Sequence, residues 1–200
     1  MNDLKGTTLK LQRVCVFCGS SMGAQPIYRR SAQELGRELV SRNIDLVYGG
    51  GGVGLMGILA DTVLELGGKV LGVLPEALMA REVGHVSLTE LRIVSSMHER
   101  KAQMSALADA FIALPGGYGT FEELFEVITW AQLGLHSKPI GVLNAGQYFD
   151  RLLQFLDHAV EEGFIPSSNR KLLLASERPE DLLQSLLTSH HQPDLNKGID

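Results

Sequence analysis

The chain of 200 residues and 21.8 kDa, 44% apolar and 20% charged, has enough apolar sequence for a sizeable core, which excludes a disordered tail protein or a fibre. Its 18 Lys and Arg against 23 Asp and Glu give a net charge of -5 and a pI near 5.7, without the basic excess that a nucleic-acid partner demands. No apolar run reaches the ~20 residues that cross a bilayer, and the polar start lacks the layout of a signal peptide, so no membrane partner is expected and the protein is placed in the cytoplasm.

The first apolar run, residues 12–18, reads as a buried strand and carries both cysteines, Cys15 and Cys18. Their C-x-x-C spacing is that of redox and zinc motifs. Positions three apart on a strand face opposite sides of a sheet, however, whereas a thioredoxin pair sits at a helix start and a zinc site needs a second pair. The expectation is therefore two packed core thiols. A helix is predicted over 27–41, then a strand over 45–48, a helix over 54–66, and strands over 69–74 and 91–95. A helix over 97–107, a strand over 110–114, a helix over 121–133 and a strand over 140–143 follow. A helix over 148–161, a strand over 172–175 and a helix over 180–187 complete the series. This alternation of short Val/Ile/Leu runs with helical patterns predicts a single doubly wound, Rossmann-like α/β domain, its mostly parallel sheet flanked by helices. No linker divides the chain, and residues 190–200 have the polar composition of a flexible tail.

In this architecture ligands bind outside the carboxyl ends of the strands. Three glycine-bearing turns fall there: Gly19-Ser20-Ser21, the run Gly49-Gly50-Gly51-Gly52 with Gly54 and Gly57, and Pro115-Gly116-Gly117-Tyr118-Gly119-Thr120. Four consecutive glycines beside a helix N-terminus make either an anion cradle, with phosphate as its natural occupant, or a tight strand-to-helix packing. Gly49, Gly51 and Gly54 also satisfy G-x-G-x-x-G, with Glu76 in place of a ribose-binding acid, but they follow the second strand rather than the first. No Lys-Ser or Lys-Thr follows, which excludes a Walker A loop.

In the third turn Thr120 and Glu123 have the T-x-x-E spacing of a capping box, so Glu123 either bonds back to the helix start or does chemistry. Glu122, Glu123 and Glu126 crowd a helix start that should hold an anion, which favours a carboxylate with a task. Phe121, Leu124, Phe125 and Ile128 form the expected core stripe of that helix. Val127, Trp130 and Leu133 form a second apolar face, covered by another subunit, by a ligand base or by the thickness of the domain. A second capping box, Ser96 and Glu99, opens the helix over 97–107. Arg100 and Lys101 beside it are disfavoured by the helix dipole and point to a bound anion or to a solvated pair. His98-Glu99 begins the H-E-x-x-H pattern, but Ala102 stands where the second histidine belongs, and no metal site is read elsewhere.

The segment Pro115-Gly116-Gly117-Tyr118-Gly119-Thr120-Phe121-Glu122-Glu123 resembles the P-G-G-x-G-T-x-x-E motif of the LOG, or lonely-guy, family, and Met97-His98-Glu99-Arg100-Lys101 resembles its second signature. Residues 47–57 and 127–134 are also similar to that family, so the resemblance covers about 13–156. It implies a cytokinin riboside 5'-monophosphate phosphoribohydrolase, which cleaves the N-glycosidic bond between an N6-substituted adenine and ribose 5-phosphate, with AMP hydrolysed by bacterial members. It also implies a homodimer with the site near the subunit contact, a nucleoside monophosphate as small-molecule partner, and no cofactor or metal.

By the same resemblance Glu123 and Arg100 are catalytic. Glu123 would stabilise an oxocarbenium-like sugar and Arg100 would act at the ribose-phosphate end. Gly116, Gly117, Tyr118, Gly119 and Thr120 would hold the 5'-phosphate, with Gly19, Ser20, Gly50 and Gly51 in the neighbouring cradles. Glu82, Lys101, Glu122 and Thr129 are further substrate contacts carried over by the motifs. Phe121 replaces a usual leucine and Ala80 a usual proline. The resemblance argues against the lysine decarboxylase label that many relatives carry, because no motif places a Schiff-base lysine or a partner for a pyridine nitrogen. The alternative is a nucleotide carrier that uses the same cradles without turnover.

Overall fold

Successive side chains of a strand point to opposite faces, and the first strand, β1 (Arg13–Phe17), is apolar on both. Val14 and Val16 enter one buried cluster while Cys15 and Phe17 enter the other, so β1 lies between two cores. The computed structural model describes residues 10–79, 84–85 and 87–189. Its other strands are β2 (Asp45–Tyr48), β3 (Val70–Pro75), β4 (Glu90–Val94), β5 (Ala110–Ala113), β6 (Ile140–Leu143) and β7 (Leu173–Ser176). The seven form one sheet in the order β4-β3-β2-β1-β5-β6-β7, and every pair of neighbours is parallel. All residues of β3, β5 and β6 are buried, as a sheet covered on both faces requires.

The helices are α1 (Pro26–Ser41), α2 (Gly54–Glu65), α3 (Met97–Leu107), α4 (Tyr118–Gln132), α5 (Asp150–Glu161), the short α6 (Ser167–Arg170) and α7 (Pro179–Thr188). One face of the sheet is covered by α1, α2 and α7, through Leu35, Leu39, Leu55, Leu59, Leu182 and Leu183. The other is covered by α3, α4 and α5, through Met104, Leu124, Val127 and Leu156. The result is the expected Rossmann-like three-layer fold, with β2 and β6 at the predicted bounds and the single turn α6 not anticipated. Among the described residues no helix is long and apolar enough to cross a membrane. The tail at 190–200 lies outside the described residues.

The core stripe of α4 differs from the expected one. Thr120, Leu124, Val127 and Ala131 are buried with Glu123, whereas Phe125 is exposed and Phe121 and Ile128 are half-buried. Both sets have helical spacing, and packing against β1 and β5 selects the one with smaller side chains at its ends. Val127 therefore belongs to the core rather than to the second face.

The strand order places the working edge. The chain winds outward from β1 to β4 and then returns to the other side of β1 with β5, so the winding direction reverses between β1 and β5. A crevice opens at the carboxyl ends of two such strands, because their connections leave in opposite directions. The turn Cys18-Gly19-Ser20 leaves β1 there and the turn Leu114-Pro115-Gly116-Gly117 leaves β5 beside it. The amide of Gly19 donates to the carbonyl of Pro115 at 3.1 Å and joins the two turns.

Candidate active site

A cavity of about 200 Å³ occupies this crevice. It is lined by the end of β1 through Cys18, Gly19 and Ser20, by Gly49 after β2, by Met56 of α2, by Arg100 of α3, and by Gly117, Tyr118, Gly119, Thr120 and Glu123 at the start of α4. A second cavity of about 290 Å³ adjoins it, shares Gly19, Ser20 and Gly117, and adds Tyr28, Leu55 and Tyr148. A larger cavity, about 900 Å³, lies at the opposite end of the sheet among Arg13, Arg42, Ile44 and Lys69. That end has neither the helix N-termini nor the switch point that this fold uses to hold ligands, so the smaller cavity is the candidate.

Arg100 and Glu123 meet inside it. Both are buried, with the Arg100 Nη1 atom 3.6 Å from Glu123 Oε1. The guanidinium is anchored from behind, its Nε donating to the carbonyl of Val73 at 3.2 Å and its Nη2 to that of Gly49 at 3.4 Å. It thus reaches the cavity with a fixed orientation, across an interval of 51 residues from Gly49. Gly49 is what makes the path open, because a Cβ there would stand 1.9 Å from Arg100 Nη2. The first glycine of the run is therefore a space reserved for the arginine.

Several sequence expectations are corrected by these contacts. Helix α4 begins at Tyr118 with Gly117 as its N-cap and no side-chain cap, so Thr120 is a buried residue of its first turn and not the cap. A chain freed by Gly116, Gly117 and Gly119 enters the helix earlier than the hydroxyl signal implied. Thr120 instead packs on Gly116, where a Cβ would lie 2.1 Å from the Thr120 Oγ1 atom. Glu123 is accordingly turned to Arg100. At α3 the Ser96 hydroxyl does accept from the Glu99 amide at 3.2 Å, but the Glu99 carboxylate bonds the amide and hydroxyl of Ser95 rather than closing a box. Those Ser95 hydrogen bonds, the amide's foremost, hold the Glu99 carboxyl below its usual pKa.

Lys101 is bonded within the protein, its Nζ 2.5 Å from Glu122 and 2.9 Å from Glu126. Partial burial opposes its charge, but the bonds to the two glutamates outweigh that and raise its pKa. The lysine also eases the crowding of carboxylates at α4 by pairing with two of them. Thr129 lies two turns along α4 from Glu123, exposed, with its hydroxyl bonded to the carbonyl of Phe125. Gly50 and Gly51 are absent from the cavity lining: the Gly50 carbonyl accepts from the His85 amide and Gly51 bridges to Gly84. Glu76 is exposed in a short turn after β3 and lines neither of the two adjoining cavities. Glu82 lies outside the described residues.

Residues 56–186 match the family described as "Possible lysine decarboxylase". The chain is 56% identical over 177 residues to the probable cytokinin riboside 5'-monophosphate phosphoribohydrolase LOGL2 of Oryza sativa subsp. japonica, covering 88% of this chain and 72% of that one. It is 52% identical to the cytokinin riboside 5'-monophosphate phosphoribohydrolase LOG3 of Arabidopsis thaliana, over 92% of this chain and 87% of that one. The chain belongs to the LOG family. A solved structure of the molybdenum cofactor binding protein from Rippkaea orientalis shares the fold, with a TM-score of 0.65 over 88% of this chain and 95% of that one, at 20% identity.

The LOG relatives are named hydrolases, and the residues here do not fit the pyridoxal group that a decarboxylase label implies. Such a group needs a Schiff-base lysine. Among the described residues none lining the cavity is a lysine, Lys101 is held by Glu122 and Glu126, and Lys138 bonds the carbonyl of Ser105. Sequence reasoning missed three residues that line this cavity. Gly49 was read as part of an anion cradle or a tight turn rather than as room for a side chain, Met56 was given no role, and Cys18 was read as a core thiol. Cys15 and Cys18 are indeed buried and unbridged, on opposite faces of the sheet as expected. Cys18 nevertheless borders the cavity, where burial and then the Glu123 carboxylate push its thiol pKa far up, so it stands there as a neutral group.

Proposed function

We propose that this chain hydrolyses the N-glycosidic bond of cytokinin riboside 5'-monophosphates and of AMP, releasing free cytokinin or adenine and ribose 5-phosphate. The observation that carries the reading is the buried Arg100–Glu123 pair at the mouth of a glycine-rich helix start, in a chain whose relatives are named phosphoribohydrolases. The backbone of residues 116–120 at the N-terminus of α4 suits a 5'-phosphate, because its amides and the helix dipole favour an anion there. Cleavage breaks the C1'–N bond of the nucleotide and leaves its electron pair on the base. Positive charge then develops on the sugar, and the Glu123 carboxylate stabilises it until water adds to C1' and a proton passes to the base. Arg100, rigidly held by Val73 and Gly49, aligns that carboxylate and faces the ribose-phosphate end. Lys101 and Glu122 support the site by ordering the first turns of α4.

The test is chromatography of AMP and isopentenyladenosine monophosphate after incubation with the pure protein in the absence of metal and pyridoxal phosphate. Free base and ribose 5-phosphate in equal amounts are expected, and the faster substrate identifies the preferred nucleotide. Binding of both nucleotides without release of base would replace this reading with that of a carrier.

We also infer a homodimer with the cavity near the contact. Tyr118 is 94% exposed at the cavity wall, and Met97 on α3, Phe125 on α4 and Leu133 just beyond α4 are exposed as well, large apolar side chains on the two helices that carry Arg100 and Glu123. Sedimentation should return a species of about twice the 21.8 kDa chain mass, and a species of the chain mass alone would refute the inference.

A further inference from the structure

The loop between β5 and α4 is tethered by three consecutive carbonyls. That of Pro115 accepts from the Gly19 amide at 3.1 Å, that of Gly117 from the Phe121 amide at 3.1 Å, and that of Gly116 from the phenol of Tyr148 at 2.5 Å. The first two bonds join turn to turn and begin the helix. The third comes from a side chain 32 residues away, just before α5. In a trans peptide the N–H points opposite to the C=O, so whatever orients the Gly116 carbonyl also orients the Gly117 N–H. Tyr148 stands on the wall of the second cavity with Tyr28, whereas Gly117 lines both that cavity and the one holding Arg100 and Glu123. Packing does not orient this peptide at Gly117, where a Cβ would meet nothing within 4 Å. Two successive glycines turn about their backbone bonds more freely than any other pair.

The tyrosine ring is itself held on three sides. It stacks on Phe121 of α4 with centroids 6.4 Å apart and planes at 9°, and meets Phe149 at 5.0 Å and Tyr28 at 5.8 Å edge to face. Phe149 is fully buried. The phenol thus has a fixed position from which to hold a peptide that lies between two glycines.

We propose that Tyr148 is a positioning residue for anion binding, its phenol latching the Gly116–Gly117 peptide so that the Gly117 N–H faces the cavity of Arg100 and Glu123. This rests on the reading of residues 116–120 as the phosphate-holding loop. Without the latch the peptide can rotate and present a carbonyl oxygen, which repels an anion where the amide attracts one. The latch touches neither the sugar nor the base, so it acts on phosphate affinity rather than on bond cleavage.

Tyr148→Phe keeps the ring and its stacking and deletes only the hydroxyl. Titration calorimetry with inorganic phosphate should show affinity about tenfold weaker than in the wild type, and KM for AMP should rise by a similar factor with kcat within about twofold. The melting temperature should move little. Unchanged phosphate affinity in the variant overturns the proposal, as does a fall in kcat with phosphate affinity and KM intact. Phosphate that binds the wild type and is lost in the variant, with neither protein releasing base, supports the latch and refutes the hydrolase reading. Base release by a wild type that binds no phosphate does the reverse.

Discussion

Glu123→Gln is expected to reduce release of free base from a nucleoside monophosphate by about 10³-fold or more while the protein remains folded. The substitution conserves shape and removes one negative charge from a residue only 9% exposed. A buried charge aimed at the position where positive charge develops is the largest electrostatic contribution a site of this type makes, and a neutral amide supplies little of it. Substrate affinity should change far less than turnover, because the ground-state sugar carries no charge. The amide can still face Arg100, so the fold is retained at a modest cost in stability. Single-turnover chromatography of the variant beside the wild type, with calorimetric unfolding of both, checks the expectation. Turnover within tenfold of wild type would remove Glu123 from the chemistry.

The second large effect is expected at a residue with no functional group. Gly49→Ala places a methyl group 1.9 Å from the Arg100 Nη2 atom and 3.0 Å from its Cζ, which is impossible without displacement. The contact is with the end of a flexible side chain, so the chain can relieve it by moving the guanidinium at a cost of about 1–3 kcal/mol. What that movement removes is the bond to the Gly49 carbonyl and the approach to Glu123. Activity should therefore fall as far as in Arg100→Ala, about 10²-fold or more, while the protein stays folded. The two substitutions act through one group, so the double variant should be no slower than Arg100→Ala alone. Additive losses in this double-mutant cycle would show that Gly49 acts by another route.

Much of the fold was legible in the sequence because buried parallel strands are continuous apolar runs bounded by glycine and proline. Asp45–Tyr48 and Ile140–Leu143 needed no tertiary information. The start of α4 was not legible, since Thr120 offers a strong capping signal and the glycines that override it look alike whether they lie before a helix or within its first turn. The stripe of α4 failed for a related reason: Phe121, Leu124, Phe125 and Ile128 have the same period as Thr120, Leu124, Val127 and Ala131. Period alone does not orient a helix whose apolar residues exceed one face. The charge pattern on α3 and α4 was visible as an excess of glutamates and a pair of cations. That Lys101 takes Glu122 and Glu126 and leaves Arg100 to Glu123 depends on how the two helices pack.

By itself the sequence determined the alternation of strands and helices, the parallel sheet they must form, and the glycine motifs and charged residues of the LOG family. These are local properties, set by hydrophobic period, glycine freedom and residue chemistry within a few positions. The tertiary structure alone decided that Gly49, Arg100 and Glu123 share one cavity, that the glycine run opens a path for a guanidinium, and that Tyr148 reaches the Gly116 carbonyl. Those relations join residues tens of positions apart, and they arise because the sheet order brings the carboxyl ends of β2, β1 and β5 side by side.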